Sequence, residues 1–302
     1  MRSIYFLLLL VSIIGVSSCR NDFETTPSSG NLRFSKDTVF LDTVFSNIGS
    51  STFNLKVYND SDEVITIPSV RLGDGESSKY RLNVDGIPGK TFENIDILAN
   101  DSIFVFVETT VDIIEASTAN DEFLYTDVIE FDSAGNQQAV ELVTLIQDAV
   151  FLFANRDDST GMMETLTLNG VETSLQGRFL TDDELTFTNE KPYVIYGYMA
   201  VGDPDGDTPK TLTMQPGARV HFHADSGLFV ANNGTLSIEG ELSTDEVALE
   251  NEVILEGDRL ETIFSDVPGQ WGTIILSGGS INNSINYATI KNATVGLSLI
   301  HI

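Results

Sequence analysis

Four apolar triplets, headed by Leu212, Val220, Leu228 and Leu236, recur at a spacing of eight residues. They read "LTM", "VHF", "LFV" and "LSI", with "QPGA", "HADSG" and "ANNGT" between them. A chain that turns this often has room only for short strands. Such strands cannot bury an apolar face alone. Stacking successive turns of chain supplies the missing partner, as in a solenoid. Hairpins in a barrel would share the period. The later segments "NEVILEGD", "GQWGTIILSGGS", "NSINYATIKNA" and "TVGLSL" run on without matched hairpin turns, which favours the solenoid.

Residues 31–148 have a different rhythm, alternating with period two. Phe53, Leu55 and Val57 point one way, and Asn54 and Lys56 the other. "IFVFV", Ile103 to Val107, is a fully apolar run suited to a central strand. "YNDSDE", "VDGIPG", "ANDS" and "DSAGN" supply turns. "DIIEAST", 112–118, is the nearest approach to a helix, and it is short. About seven or eight short strands at this spacing predict a two-sheet sandwich. Residues 149–200, with "ETLTLNG" and "ELTFTN", read as a β-rich transition, so the fold class is all-β.

The N-terminus gives an address. Arg2 precedes Ile4–Val16, which is apolar except for Ser12. That run is shorter than the roughly 20 residues that span a bilayer, and residues 1–18 read as a secretory signal peptide. Val16-Ser17-Ser18-Cys19 resembles a bacterial lipobox. The resemblance implies cleavage after Ser18 and a diacylglycerol on Cys19, the sole cysteine. No thiol then remains for a disulfide, a metal or a nucleophile. Residues 19–30 are polar and end in Pro27-Ser28-Ser29-Gly30, a flexible tether. Asp22 and Glu24 resemble the acidic export tag of Bacteroidota surface lipoproteins, although Arg20 and Asn21 depart from it. The implied place is the outer membrane, lipid-anchored, at the cell surface rather than the periplasmic face.

There are 45 Asp+Glu against 16 Lys+Arg, a net charge of −29. Loss of Arg2 with the signal peptide takes the mature chain to about −30. Such a field repels nucleic acid and anionic lipid. It suits divalent cations, and more simply it suits solubility at a crowded surface.

Two longer resemblances add to this. "DTVFSNIGSSTFNLKVYNDSDEVITI" and "YRLNVDGIPGKTFENIDILANDSIFVFVE" resemble the immunoglobulin-like β-sandwich module of large Bacteroidota surface lipoproteins. That likeness implies a spacer or interaction role over 31–148 and brings no catalytic residue. "LTMQPGARVHFHADSGLFVANNGTLSIEG", "GDRLETIFSDVPGQWGTIIL" and "INYATIKNATVG" resemble the opening coils of a right-handed parallel β-helix, over 201–302. Pro216-Gly217, Gly227 and Gly234 match that family's turns, and Trp271 its recurrent aromatic, a core or corner anchor. "LSLIHI", 297–302, resembles translated sequencing adapter. It is expected not to be native, His301 is not read as functional, and the β-helix is expected to be truncated.

Candidate sites are few. Asp203, Asp205 and Asp207 alternate in "GDPDGD", as Ca²⁺ ligands can. Thr208 and Met214 stand where a Ca²⁺-binding EF-hand loop needs Gly and Glu, so an acidic turn is the favoured reading. His221 and His223 flank Phe222 on one face; a third metal ligand is not evident, Asp225 being a weak candidate, and a solvated outer face is expected. Thr38, Thr43, Ser102, Ser133 and Ser159, each after an Asp, resemble the O-glycosylation signal of Bacteroidota, a short pattern that chance also produces. There is no phosphate-binding loop, nucleophile elbow or zinc spacing. The expectation is a non-catalytic binding or structural protein with no catalytic residue, engaging the membrane through its lipid and a glycan or surface protein along the solenoid. The alternative is a carbohydrate-active β-helix enzyme, a lyase or hydrolase, whose site lies on missing C-terminal coils. A purely mechanical stalk is a third reading.

Overall fold

The computed structural model describes residues 25–112, 123–132, 136–168, 170–205 and 207–300. Ser18, Cys19, Ser133, His301 and most of "DIIEAST" lie outside the described residues. Every regular element described is a strand or a single 3₁₀ turn, so the protein is all-β. It divides into two compact units. One comprises residues up to Leu41, Gly49–Thr110 and Tyr125–Val143, and the other Asp42–Ile48, Val111–Leu124 and Thr144 onward.

The first unit is two sheets over one core. One sheet orders its strands as Thr26–Pro27, Ile65–Leu72, Leu124–Asp132, Gln138–Gln147 and Thr38–Phe45, with Thr91–Ile97 also on Ile65–Leu72. The other orders them as Arg33–Phe34, Phe53–Asn59, Asp101–Thr109, Tyr80–Val84 and Ile87–Gly89. Leu55, Val57, Val105 and Val107 from the second sheet meet Ile67, Val70, Ile129 and Phe131 from the first, all fully buried. Val84 pairs Ile87 across a two-residue loop in which Asp85 and Gly86 both have positive φ (49° and 86°). Asp-Gly takes that mirror-image turn because it matches the twist of the flanking strands.

One expectation changes here, and another gains detail. Part of the predicted tether is paired: Thr26–Pro27 runs parallel to Ile65–Thr66, and the Ser28 amide donates to the Thr66 carbonyl at 2.8 Å. "IFVFV" does form a central strand, but it is not buried on both faces. Ile103, Val105 and Val107 point into the core, while Phe104 and Phe106 are 45% and 39% exposed. An antiparallel sheet covered on one side leaves alternate residues in water.

In the second unit the chain visits three parallel sheets in rotation. Tyr193–Tyr196 enters the first sheet, Tyr198–Val201 the second and Lys210–Met214 the third. Arg219–Phe222, Gly227–Val230 and Gly234–Glu239 repeat the order, as do Val253–Gly257, Trp271–Ser277 and Ser284–Asn286. Ala288–Ile290 and Ala293–Ile300 return to the first and second sheets. The eight-residue period is thus the step from one sheet to the next. Three steps bring Leu212 beside its register partner Leu236. Leu212, Val220, Leu228 and Leu236 are all fully buried. Parallel pairing is already present at Val150–Phe153, which lies beside Tyr193–Tyr196. The stretch read as a transition therefore supplies strands to these sheets.

Trp271 lies in this core at 1% exposure, stacked on Phe222 at 4.2 Å, its indole N–H donating to the Lys291 carbonyl at 2.9 Å. Of the turn glycines matched above, Gly217 has a left-handed φ of 81°. Gly227 serves differently. A Cβ there would meet the Thr273 carbonyl at 2.2 Å and the Tyr198 ring at 2.7 Å, so its bareness lets that ring cross the sheet.

Candidate functional site

The second parallel sheet is apolar on both faces. Leu228 and Val230 point into the coil, and Phe229 between them points out, yet Phe229 is only 2% exposed. Its cover is the antiparallel pair Thr165–Leu168 and Val171–Phe179. Leu166, Leu168 and Leu175 pack on Ala200, Phe229 and Ala231. This hairpin joins the sheet only through Gly177–Phe179, beside Tyr198–Ala200. Its turn end overhangs, and a cleft of about 290 Å³ remains beneath it.

Leu168, Val171, Phe229 and Ala231 form the cleft wall, and Thr173, Asp203, Asn232 and Ser277 its polar margin. The Asp203 carboxylate accepts backbone N–H bonds from Asp205 at 3.2 Å and Thr208 at 3.3 Å. Those bonds hold its pKa below the usual carboxylate value, so the margin is anionic at neutral pH. A wall that strips water from an apolar surface, rimmed by hydroxyls, an amide and a carboxylate, is the geometry of a small-ligand site.

A second polar constellation lies on the outward face of the first parallel sheet. His221, Glu256 and Lys291 form a row across three coils. Glu256 Oε2 is 2.7 Å from Lys291 Nζ, and its Oε1 is 3.7 Å from His221 Nδ1. One step along the strand, His223 Nδ1 is 2.6 Å from Asp258 Oδ2, and the imidazole stacks on Tyr196 at 4.4 Å. Burial lowers the His221 pKa and keeps that ring neutral. The hydrogen bond to Asp258 raises the His223 pKa. Burial and the Asp258 charge push the Tyr196 hydroxyl up to about 12. Arg219 turns to the loop beside this row, donating to the carbonyls of Glu252 at 2.7 Å and Leu249 at 2.9 Å.

The expected solvated outer face holds for His223, whose side chain is 46% exposed, and fails for His221, which is 4% exposed. The cause is Phe45, in the same unit, standing edge-on to the His221 ring at 5.0 Å. Among the described residues no three His, Cys, Asp or Glu side chains are grouped to hold a metal ion. Of the three aspartates, Asp203 alone lines the cleft; Asp205 and Asp207 are exposed outside its lining. Thr38 and Ser159 are exposed, whereas Thr43 and Ser102 are half-buried. The Ser159 hydroxyl donates to Asp157 at 2.6 Å. The cleft itself was not foreseen. Its only trace in the sequence is the apolar "LTL" and "LQGRFL" around a turn.

No protein-family model matches the chain, and no curated protein matches it. Among solved structures, it is similar to a family 123 glycoside hydrolase from Clostridium perfringens at 8% identity and a TM-score of 0.28, over 51% of this chain and 31% of the hydrolase. It is similar to a protein of unknown function from Porphyromonas gingivalis W83 at 13% identity and a TM-score of 0.26, over 42% of this chain and 55% of that one. The SrpA adhesin from Streptococcus sanguinis gives 16% identity and a TM-score of 0.27, over 45% of this chain and 69% of the adhesin. The chain thus spans about a third of the hydrolase and about half of the Porphyromonas protein.

Proposed function

We propose that this chain is a lipid-anchored protein of the cell envelope whose second unit binds a small glycan in the cleft beneath the 165–179 hairpin. In this reading the first unit is an immunoglobulin-like spacer. The second is the opening of a right-handed parallel β-helix, and Cys19 carries the lipid. The cleft carries the proposal. Its wall of Leu168, Val171, Phe229 and Ala231 suits the apolar face of a sugar ring, and its margin of Thr173, Asn232, Ser277 and Asp203 suits the hydroxyls.

The test is thermal unfolding against a panel of mono- and oligosaccharides, for the wild type and for Val171→Trp. Val171 is 67% exposed, so the larger side chain can fill the cleft without straining a core. A ligand at about 100 times its Kd stabilises the native state by about 2.7 kcal/mol. The wild type is expected to show that rise with at least one saccharide, and the variant to lack it. No rise with any saccharide, or an equal rise in both proteins, would refute the proposal. The anchor is tested separately: Cys19→Ala is expected to leave the membrane fraction.

A second reading, a carbohydrate-active enzyme with its site on the outer face of the first parallel sheet, is favoured by one observation. The row His221, Glu256, Lys291 places an acid and a base on adjacent coils. Polysaccharide cleavage by this chain, lost in Glu256→Gln, would favour it.

A further inference from the structure

The outward face of the first unit's five-stranded sheet carries an exposed aromatic pair. Phe104 and Phe106 stand side by side on its central strand, their rings 15° from parallel with centroids 5.9 Å apart, and both are exposed. Two phenyl rings on the wet side of a central strand are unusual, because that face normally carries polar residues.

The neighbours in register say what these rings fit. Asn54 and Asn83 flank Phe106 on either side. Asn83 Oδ1 is itself buried and has no hydrogen-bond partner among the described residues, so Asn54 is the amide that faces water. Lys56 lies beside Phe104 in register, its Nζ 5.2 Å from the ring centroids of both Phe104 and Tyr58. Lys36 Nζ donates to the Asn54 carbonyl at 3.3 Å. Arg33 covers Tyr58 at 3.8 Å and is spent on Asp60, as Arg81 is on Glu108. Asp85 occupies the adjoining turn. Lys36 and Lys56 make no ion pair among the described residues. On a chain of net charge −29, two ammonium groups with no carboxylate partner among the described residues, beside an exposed aromatic pair, form a local exception.

We propose that this face binds an anionic polysaccharide. The phenyl faces stack on the C–H faces of the sugar rings, Asn54 meets hydroxyls, and Lys36 and Lys56 pair with carboxylate or sulfate. A protein partner fits less well. The aromatic pair lies on a central strand, where no strand can be added by edge pairing. Two rings fringed by amides and ammonium groups also fall short of the roughly 800 Å² a side that a stable protein interface buries.

The test is affinity electrophoresis of the full chain through gels containing polygalacturonate, chondroitin sulfate or neutral dextran. Retardation is expected with at least one anionic polymer and not with dextran; comparing the first two separates carboxylate from sulfate. Phe104→Ala/Phe106→Ala is expected to weaken binding by at least about tenfold, the usual loss on truncating a central aromatic contact. Lys36→Gln/Lys56→Gln is expected to weaken it and to flatten its salt dependence, which keeps the proposal testable if the phenylalanine variant does not fold. Val171→Trp is expected to bind as the wild type does, so failure here and failure of the cleft reading are distinct. No retardation by either anionic polymer, or retardation unchanged in both double variants, would overturn the proposal. So would binding confined to an acidic protein partner.

Discussion

The two units pair their strands by opposite uses of the chain. In the first, a neighbour can be three residues away, as Ile87 is from Val84 across the Asp85-Gly86 turn. In the second, the neighbour arrives a whole coil later, as Leu236 does for Leu212. Hairpin pairing lets one face of a sheet stay wet, and the first unit uses its wet face to display Phe104 and Phe106. Coil pairing carries three sheets around one core, and the outer face of the second sheet is closed separately by the 165–179 hairpin. The surface proposed for the first unit is therefore an open platform, and the cleft proposed for the second lies beneath a cover.

The largest expected effect attacks the coil alone. Trp271→Ala removes a fully buried ring stacked on Phe222, a loss of about 3–5 kcal/mol. Hydrogen exchange should show protection falling around Phe222 and Trp271 while strand Asp101–Thr109 keeps its own. Equal loss in both regions would break the contrast. Gly227→Ala comes next, because its Cβ would stand 2.2 Å from the Thr273 carbonyl. A cost of about 1–3 kcal/mol is expected, read as a lower melting temperature.

A smaller effect sharpens the contrast through pH. Arg178 grips Glu184 with two bonds of 2.6 and 2.7 Å and holds its pKa at about 2, from an ordinary value of 4.5. A carboxylate lowered in the fold binds fewer protons than in the unfolded chain. The pair therefore stabilises above 4.5, and its contribution is lost as the pH falls toward 2. Denaturation midpoints of the wild type and Glu184→Gln should differ at neutral pH and converge on acidification. The smallest effect has the opposite sign. His223 is raised by Asp258, so its contribution is complete below the ordinary 6.5 and fades as the pH rises through the raised value. The wild type should lose its advantage over Asp258→Asn as the pH climbs above 6.5. With His223 half-exposed, the change is under about 1 kcal/mol.

What was legible in the sequence is whatever local pattern controls. The eight-residue period, the alternation at Phe53–Val57 and the Trp271 anchor all rest on neighbouring residues, and each appears in the fold. What was not legible depends on distant cover. His221 looks like an outer-face residue until Phe45 comes to lie against it. Phe229 has the pattern of an exposed residue, and Leu166 and Leu175 bury it. "IFVFV" is the central strand its apolar run predicts, yet one of its faces is wet. A continuous apolar run usually means two dry faces, and here the second face leaves Phe104 and Phe106 exposed among the described residues. Asp203 accepts from the Asp205 and Thr208 amides, in keeping with the acidic turn favoured for "GDPDGD", while its place at the margin of the cleft depends on distant residues.

The cleft, the histidine rows and the tryptophan stack all depend on the coil, so its register is the claim to test. Thr213 and Ser237 are register partners on adjacent coils of the third sheet, and their side chains are half-buried on its outer face. With Cys19 replaced by Ser, Thr213→Cys/Ser237→Cys should form a disulfide on mild oxidation, since paired strands bring such residues within bridging range. Thr213→Cys/His221→Cys should not, because those residues belong to different sheets. A bridge in the first pair alone is the predicted result. A bridge in the second pair alone would mean that the eight-residue period is a series of hairpins, and the coil account would be wrong.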